Sequence, residues 1–150
     1  MIKNVFICAY REWAIKICRS VNFEYTLFST KKDFENNHHL LDKDSVIFFL
    51  GWSWLIPNNI VEKCFCICLH PSPLPKYRGG SPLQHQIISG ELISAVTLFR
   101  MDEGIDTGPI LFQEYYSLEG ELNDIFERII KIGAIATNSI FYKIANNISL

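Results

Sequence analysis

The residues best able to do chemistry lie in two stretches. The first is His70-Pro71-Ser72-Pro73-Leu74-Pro75-Lys76-Tyr77-Arg78-Gly79-Gly80-Ser81-Pro82, and the second is Met101-Asp102-Glu103-Gly104-Ile105-Asp106-Thr107-Gly108. A histidine and a carboxylate that converge in a cleft form an acid–base pair. The carboxylate orients the imidazole and stabilises its charged form, while the imidazole moves a proton or polarises a carbonyl. His70 ends an apolar run and Asp106 lies in a Gly-flanked loop, so these two are the candidates. Loop histidines and aspartates are also common as purely structural residues, and the sequence alone does not put them in contact.

Two further readings start from the same run. Cys68 and His70 are two residues apart, so on a strand they point to one side and could serve as a thiol nucleophile with its base. The competing reading is a small, buried, inert cysteine, the commoner role of a free thiol. Cys64, Cys66, Cys68 and His70 also invite a zinc assignment. An extended strand sets positions 64 and 70 roughly 20 Å apart, whereas ligands of one zinc each lie only ~2.0–2.3 Å from the metal. Core packing is therefore expected, and no metal site.

The elements that must position these residues alternate. Val5 to Ala9, Tyr25 to Phe28, Val46 to Leu50 and Cys64 to Leu69 read as strands. Between them, Glu12 to Val21 carries Trp13, Ile17 and Val21 at helical spacing. Lys31 to Leu41 reads as a ragged helix, and Asn58 or Asn59 caps a short helix through Lys63. Continuous apolar runs suit strands covered on both faces. The fold class expected is α/β, a mostly parallel open sheet flanked by helices. Further on, Pro82 to Ser89 reads as a helix, Ala95 to Met101 and Ile110 to Tyr116 as strands, and a long helix capped by Asn123 runs to about Asn146. Each chemical loop follows a central strand, so both are expected at the carboxyl edge of the sheet, where such sheets bind ligands. No linker or repeat divides residues 1–150, which read as one domain.

The bulk numbers narrow the functions. The chain has 150 residues, 49% hydrophobic and 20% charged, with a formal charge of -2. That balance suits a globular domain and gives no electrostatic reason to expect nucleic acid. No segment approaches the ~20 apolar residues of a membrane span, and no signal peptide is evident at the start. The five cysteines are then expected to be reduced thiols of a cytoplasmic protein.

The order His70-x-Ser72-x-Leu74-Pro75, Tyr77-Arg78-Gly79, then Asp102-x-Gly104-x-Asp106-Thr107-Gly108 resembles the formyltransferase family. That family includes methionyl-tRNA formyltransferase, glycinamide ribonucleotide transformylase and the sugar N-formyltransferases. The likeness is good over about residues 46–130 and weak at the first strand. It implies a Rossmann-like catalytic domain that uses 10-formyltetrahydrofolate, with His70 and Asp106 at the catalytic positions. His70 would stabilise the oxyanion and Asp106 would hold the imidazole and help remove the amine proton. The pterin is expected between Trp52–Pro57 (Trp52, Trp54, Leu55 and Ile56) and the loop Met101, Glu103, Gly104, Ile105 and Asp106. Ser72, Tyr77, Arg78 and Gly79 are candidates for substrate contact, although Ser72 also suits a turn cap and Arg78 a loop pin.

The sequence departs from the family at one chemical position. The resemblance places an Asn amide two residues before the histidine, as a second oxyanion donor, and Cys68 stands there. A thiol is a weak donor, and loss of one such donor costs roughly 10²- to 10³-fold in turnover. Gln84 or a water could substitute, or the protein could bind without catalysing. The acceptor expected is an amine on a dTDP- or UDP-linked amino sugar. The chain's end at Leu150, which leaves no tRNA-gripping domain, and its slight negative charge weigh against tRNA. The alternatives are a degenerate folate or nucleotide-sugar binding protein and a formyltetrahydrofolate hydrolase. The chain also reads as shortened between the second strand and Val46. Phe126, Ile130 and Phe141 lie off the closing helix's main stripe and would suit a homodimer interface, though deeper burial explains them equally.

Overall fold

The computed structural model describes residues 2–150. Three apolar runs become the centre of a sheet: β1 (Asn4–Cys8), β3 (Ser45–Leu50) and β4 (Phe65–His70). All six residues of β3 are buried, as a strand covered on both faces requires. With β2 (Thr26–Phe28), β5 (Ile93–Arg100) and β6 (Ile110–Ser117), they form one six-stranded sheet in the order β2-β1-β3-β4-β5-β6. The first four strands are parallel, while β5 runs antiparallel to β4 and β6 antiparallel to β5.

Helices cover both faces. On one side α1 (Glu12–Ser20) and α5 (Leu122–Ala145) pack over Ile7, Phe48, Leu50, Ile67 and Leu69. The buried positions of α5, Ile125, Ile129, Ile132, Ala136 and Ile140, recur every three or four residues and form the stripe its period predicts. On the other side α2 (Lys31–Asn37) and α3 (Asn58–Lys63) bury Phe34 and Ile60 against Phe6, Cys8, Ile47, Phe49 and Cys66. The segment His38–Leu40 is a 3-10 turn with both histidines exposed. A short α4 (Pro82–Ile88) follows the Pro-rich loop.

Several local expectations need correction. Asn123 does not cap α5. Glu121 takes the extended cap conformation, and its backbone N–H donates to the Asp124 carboxylate at 2.9 Å in a reciprocal capping box, which leaves Asn123 inside the first turn. Neither Asn58 nor Asn59 caps α3, which begins directly after Pro57 with no side-chain cap. His70 is the last residue of β4 rather than the first of the loop. Phe126 and Phe141 are not spare surface: Phe126 stacks on Trp13 with centroids 6.4 Å apart, and Phe141 stacks on Phe23 at 4.1 Å. Ile130 packs against the same core. The chain's own core thus half-buries all three.

Candidate active site

The strand order creates the first part of the site. From β1 the chain goes outward to β2 and then returns to β3 on the other side, so a crevice opens at the carboxyl ends of β1 and β3. Tyr10 and Arg11 follow β1, and Gly51 to Pro57 follow β3. The Tyr10, Trp52 and Trp54 rings cluster there, with centroids 4.8 Å apart for the two tryptophans and 4.9 Å for Tyr10 and Trp54. The Tyr10 hydroxyl meets the Ser53 hydroxyl, while Arg11 donates to Gly51 O and to Ser53 Oγ. Gly51 has φ +62°, and a Cβ there would lie 2.6 Å from the Trp13 ring. Only glycine turns the chain so closely past that indole. Trp52 and Ile56 pack on the same cluster as Cys68 and Met101, so most of the expected pterin walls do converge. Leu55 does not: it is 86% exposed.

The two chemical loops reach this crevice by different routes. The first continues from the carboxyl end of β4. The second is not at the carboxyl edge, because β5 runs the other way. Arg100 pairs opposite Ile67 and Met101 N–H donates to Cys66 O, so the β5–β6 connection starts near the amino end of β4. It then folds back across the sheet face toward Cys68 and His70. Gly108 makes that fold possible, since a Cβ there would lie 1.6 Å from the Arg100 carbonyl oxygen. Within the loop, Asp102 Oδ1 accepts from Thr107 Oγ1 at 2.6 Å and from Gly104 N–H at 2.9 Å. These bonds hold the Asp102 carboxyl below its ordinary value by favouring the charged form. Met101 is half-buried, whereas Glu103, Gly104 and Ile105 are exposed at the rim.

The fold-back brings the acid–base pair together. His70 Nδ1 lies 3.4 Å from Asp106 Oδ2, with side chains only 7% and 16% exposed. Asp106 holds φ +54°, a left-handed conformation that aspartate tolerates better than most residues. The same Oδ2 accepts the Gly79 N–H at 2.8 Å, and His70 Nε2 contacts the Tyr77 carbonyl at 2.7 Å. A carbonyl only accepts, so Nε2 carries the proton of that bond and Nδ1 is left facing the carboxylate. The geometry thus joins both loops through both members of the pair.

Cys68 belongs to these surroundings, and its environment disfavours the thiolate that a nucleophile needs. Burial first, then the neighbouring Asp106 carboxylate and Cys66, push its thiol far above the ordinary range, which favours the less nucleophilic protonated form. Cys66 is pushed up to about 12 by burial. No cluster of three or more metal-ligating side chains occurs among the described residues.

The substrate candidates divide. Ser72 is fully buried, and its hydroxyl donates to the Lys76 carbonyl at 2.7 Å. It holds the loop and does not face the cleft, which corrects its expected contact with substrate. Gln86, Thr97 and Gln113, none of them singled out from sequence, extend that support. Gln86 Nε2 donates to Pro71 O, Thr97 Oγ1 to Ser72 O and Gln113 Nε2 to Leu74 O. Polar residues inside apolar strands were the available signal for Thr97 and Gln113. Arg78 is exposed and its charge bears on Asp102, so it stands at the mouth between the loops. Gln84 is exposed on α4. Tyr10 and Arg11, also missed, had only their place after the first strand to mark them. A cavity of about 400 Å³ lies on the other side of the first loop, lined by Leu74, Lys76, Tyr77, Glu91 and Tyr115 but not by His70 or Asp106.

Comparison with known proteins supplies the family. A family model described as formyl transferase matches residues 14–129. A methionyl-tRNA formyltransferase of Nitratiruptor sp. is 32% identical over 126 residues, covering 83% of this chain and 41% of that protein. Another, from Rickettsia typhi, is 41% identical over 93 residues, 59% of this chain and 31% of the relative. The chain therefore spans about a third to two fifths of these curated relatives. Among solved structures, methionyl-tRNA formyltransferase from Clostridium thermocellum superposes with a TM-score of 0.79 at 30% identity, over 99% of this chain and 67% of the other. An N-formyltransferase from Helicobacter canadensis, solved in complex with folinic acid and dTDP-3-aminofucose, has the same fold, with a TM-score of 0.73 at 23% identity over 98% of this chain and 65% of the other. With a family match over most of its length and a histidine–aspartate pair seated where the two motif loops meet, this chain belongs to the formyl transferase family.

Proposed function

We propose that this chain transfers a formyl group from 10-formyltetrahydrofolate to a primary amine, and that the amine belongs to a nucleotide-linked amino sugar of the dTDP or UDP type. The observation that carries the reading is the His70–Asp106 pair, 3.4 Å apart and locked to both loops. The half-buried Trp52 and Trp54, with Ile56 and Met101 beside them, give a flat apolar heterocycle surfaces to stack against. Backbone groups of the Asp102–Asp106 loop lie at their rim. Folate derivatives fit that combination of aromatic wall and polar edge.

The chemistry follows from the pair. The amine nitrogen bonds to the formyl carbon and the carbonyl electrons move to oxygen. Because Nε2–H is held by the Tyr77 carbonyl, the N–H that His70 offers that oxyanion is Nδ1–H of the charged imidazole, which it shares with Asp106. Asp106 stabilises the charged imidazole, and the oxygen it does not share with Gly79 takes the amine proton, directly or through water. Collapse breaks the bond from carbon to the folate nitrogen, which leaves with the proton. Cys68 offers the oxyanion only a weak donor, so turnover is expected to be slow.

A second acceptor is favoured by a specific observation: the curated relatives at 32–41% identity are methionyl-tRNA formyltransferases. The formal charge of -2 supports a small acceptor over a polyanion. The deciding experiment is a transfer assay with 10-formyltetrahydrofolate, a panel of dTDP- and UDP-amino sugars and methionyl-tRNA, repeated with His70→Ala and Asp106→Ala. Transfer to one sugar, abolished in both variants, establishes the proposal. Transfer to tRNA alone replaces the acceptor, release of formate without any amine makes the protein a hydrolase, and donor binding with no transfer makes it a binding protein.

A further inference from the structure

We infer that Tyr77 is a positioning residue for His70, and that it works through a hydrogen bond from its hydroxyl to Glu91. The inference rests on the catalytic reading of His70. Tyr77 occupies φ +59°, a conformation that a bulky aromatic residue adopts only when its surroundings hold it there. Two contacts of this residue lie at opposite ends. Its carbonyl receives His70 Nε2 at 2.7 Å, and its hydroxyl donates to Glu91 Oε1 at 2.9 Å. Glu91 lies between α4 and β5, and its backbone N–H is tied to the Gln86 carbonyl. Gln86 is itself fully buried and donates to Pro71 and Pro82. The ring of Tyr77 is therefore a strut between Glu91, exposed but anchored through its backbone to Gln86, and the backbone oxygen that faces the imidazole.

The chemical consequence is a choice of tautomer. A neutral imidazole has one N–H, and the hydrogen bond made by one nitrogen decides the state of the other. With the Tyr77 carbonyl fixed on Nε2, that nitrogen keeps its proton in either charge state, and Nδ1, facing Asp106, is where the second proton of the charged ring sits. If the strut is cut, the carbonyl is no longer aimed, and the neutral ring gains the alternative tautomer in which Nδ1 carries the only proton and Nε2 is bare. The groups that bear on the ring are Asp106 from the second loop, the Tyr77 carbonyl from the first, and the Cys68 thiol on the same face of β4. Glu91 itself touches neither the imidazole nor Asp106, so its effect is carried by Tyr77.

The test uses ¹⁵N NMR of the histidine ring in the ligand-free protein, with transfer kinetics as a second reading. Tyr77→Phe and Glu91→Ala remove the hydroxyl bond, while Glu91→Gln keeps an acceptor oxygen at the same place. The expected result is a shift of the His70 ring nitrogens away from the Nε2–H pattern in the first two variants and restoration in the third. kcat falls about 2- to 10-fold in the first two variants, the scale of one hydrogen bond, with the KM for the folate donor unchanged. Unaltered His70 ring signals in Tyr77→Phe and Glu91→Ala overturn the inference, as does a loss of rate that Glu91→Gln fails to rescue. Because the NMR signal needs no substrate, shifted nitrogens in a protein that formylates no acceptor would sink the transfer reading and leave the strut standing.

Discussion

Replacing Gly108 with alanine should unseat Asp106 without touching it. The added Cβ would lie 1.6 Å from the Arg100 carbonyl oxygen and 2.8 Å from its carbon, both backbone atoms that cannot rotate aside. A carbon–oxygen contact needs roughly 3.3 Å, so the two strands of the hairpin must part by more than an ångström. The Arg100 N–H bond to Pro109 O, 2.9 Å, closes the hairpin at this point and would be lost. Overpacking of this kind costs about 1–3 kcal/mol and one backbone hydrogen bond about 1 kcal/mol. Together they come to about 2–4 kcal/mol, or roughly 4–16 °C of Tm for a chain of this size. Asp106 lies two residues away, and a misplacement of about 1 Å at a reacting group costs on the order of 10²-fold in rate. Calorimetry and the transfer assay read both effects. Gly80→Ala is the control, because nothing lies within 4 Å of a Cβ there, and its stability should stay within about 0.5 kcal/mol of the parent. If Gly108→Ala melted with the parent protein, the tight hairpin closure inferred here would be refuted.

Other outcomes can be stated more briefly. Cys68→Asn supplies an amide donor beside His70, and kcat should rise by about 10²-fold; an unchanged rate in single-turnover measurements would mean that another donor already serves the oxyanion. Alkylation by iodoacetamide at pH 8, followed by mass spectrometry, should spare Cys66 and Cys68 in the native chain, since burial pushes the Cys66 thiol up to about 12 and Cys68 higher still. Rapid native labelling of Cys68 would revive the nucleophile. The Asp102 carboxyl is lowered chiefly by the Thr107 hydroxyl and then by the Gly104 N–H. Its stabilisation of the second loop is therefore complete above the ordinary carboxylate value of 3.8 and is lost only as pH falls through the depressed one. The Gly104 and Thr107 amide resonances should titrate below that value and should lose the titration in Asp102→Asn.

How far the sequence could be read depended on whether a feature is written in side chains or in backbone. Strands such as Val46–Leu50 and the stripe of α5 were legible because burial on both faces, or on one helical face, dictates apolar runs of fixed period. The direction of β5 was not, since Ala95 to Phe99 would read alike in a parallel or an antiparallel strand. That one reversal moved the second loop from the sheet edge to the sheet face. His70 and Asp106 stood out because their side chains carry the chemistry. The Tyr77 carbonyl did not, because a backbone oxygen has no letter and becomes visible only when the φ of its residue is known. Ser72 was misplaced for a related reason, as a hydroxyl in a Pro-rich turn is as useful to the loop as to a ligand.

The reversal of β5 also bears on the order in which the molecule assembles. Ser94 pairs with Tyr116 and Phe99 with Ile110 within one hairpin, so this part of the sheet closes over short stretches of chain, an event of microseconds. Val5 must find Val46 across a helix, a strand and another helix, and such distant pairing is slower because it closes a longer loop. The Asp106 loop, braced internally by Asp102 and Thr107, can thus mature before the sheet that holds His70 exists. Docking of the hairpin on β4, where Thr97 meets His70, then completes the fold and the catalytic pair in the same step. Slowing that docking, for instance by weakening the Thr97 and Gln113 contacts to the first loop, should delay the appearance of an intact pair more than it delays the appearance of secondary structure.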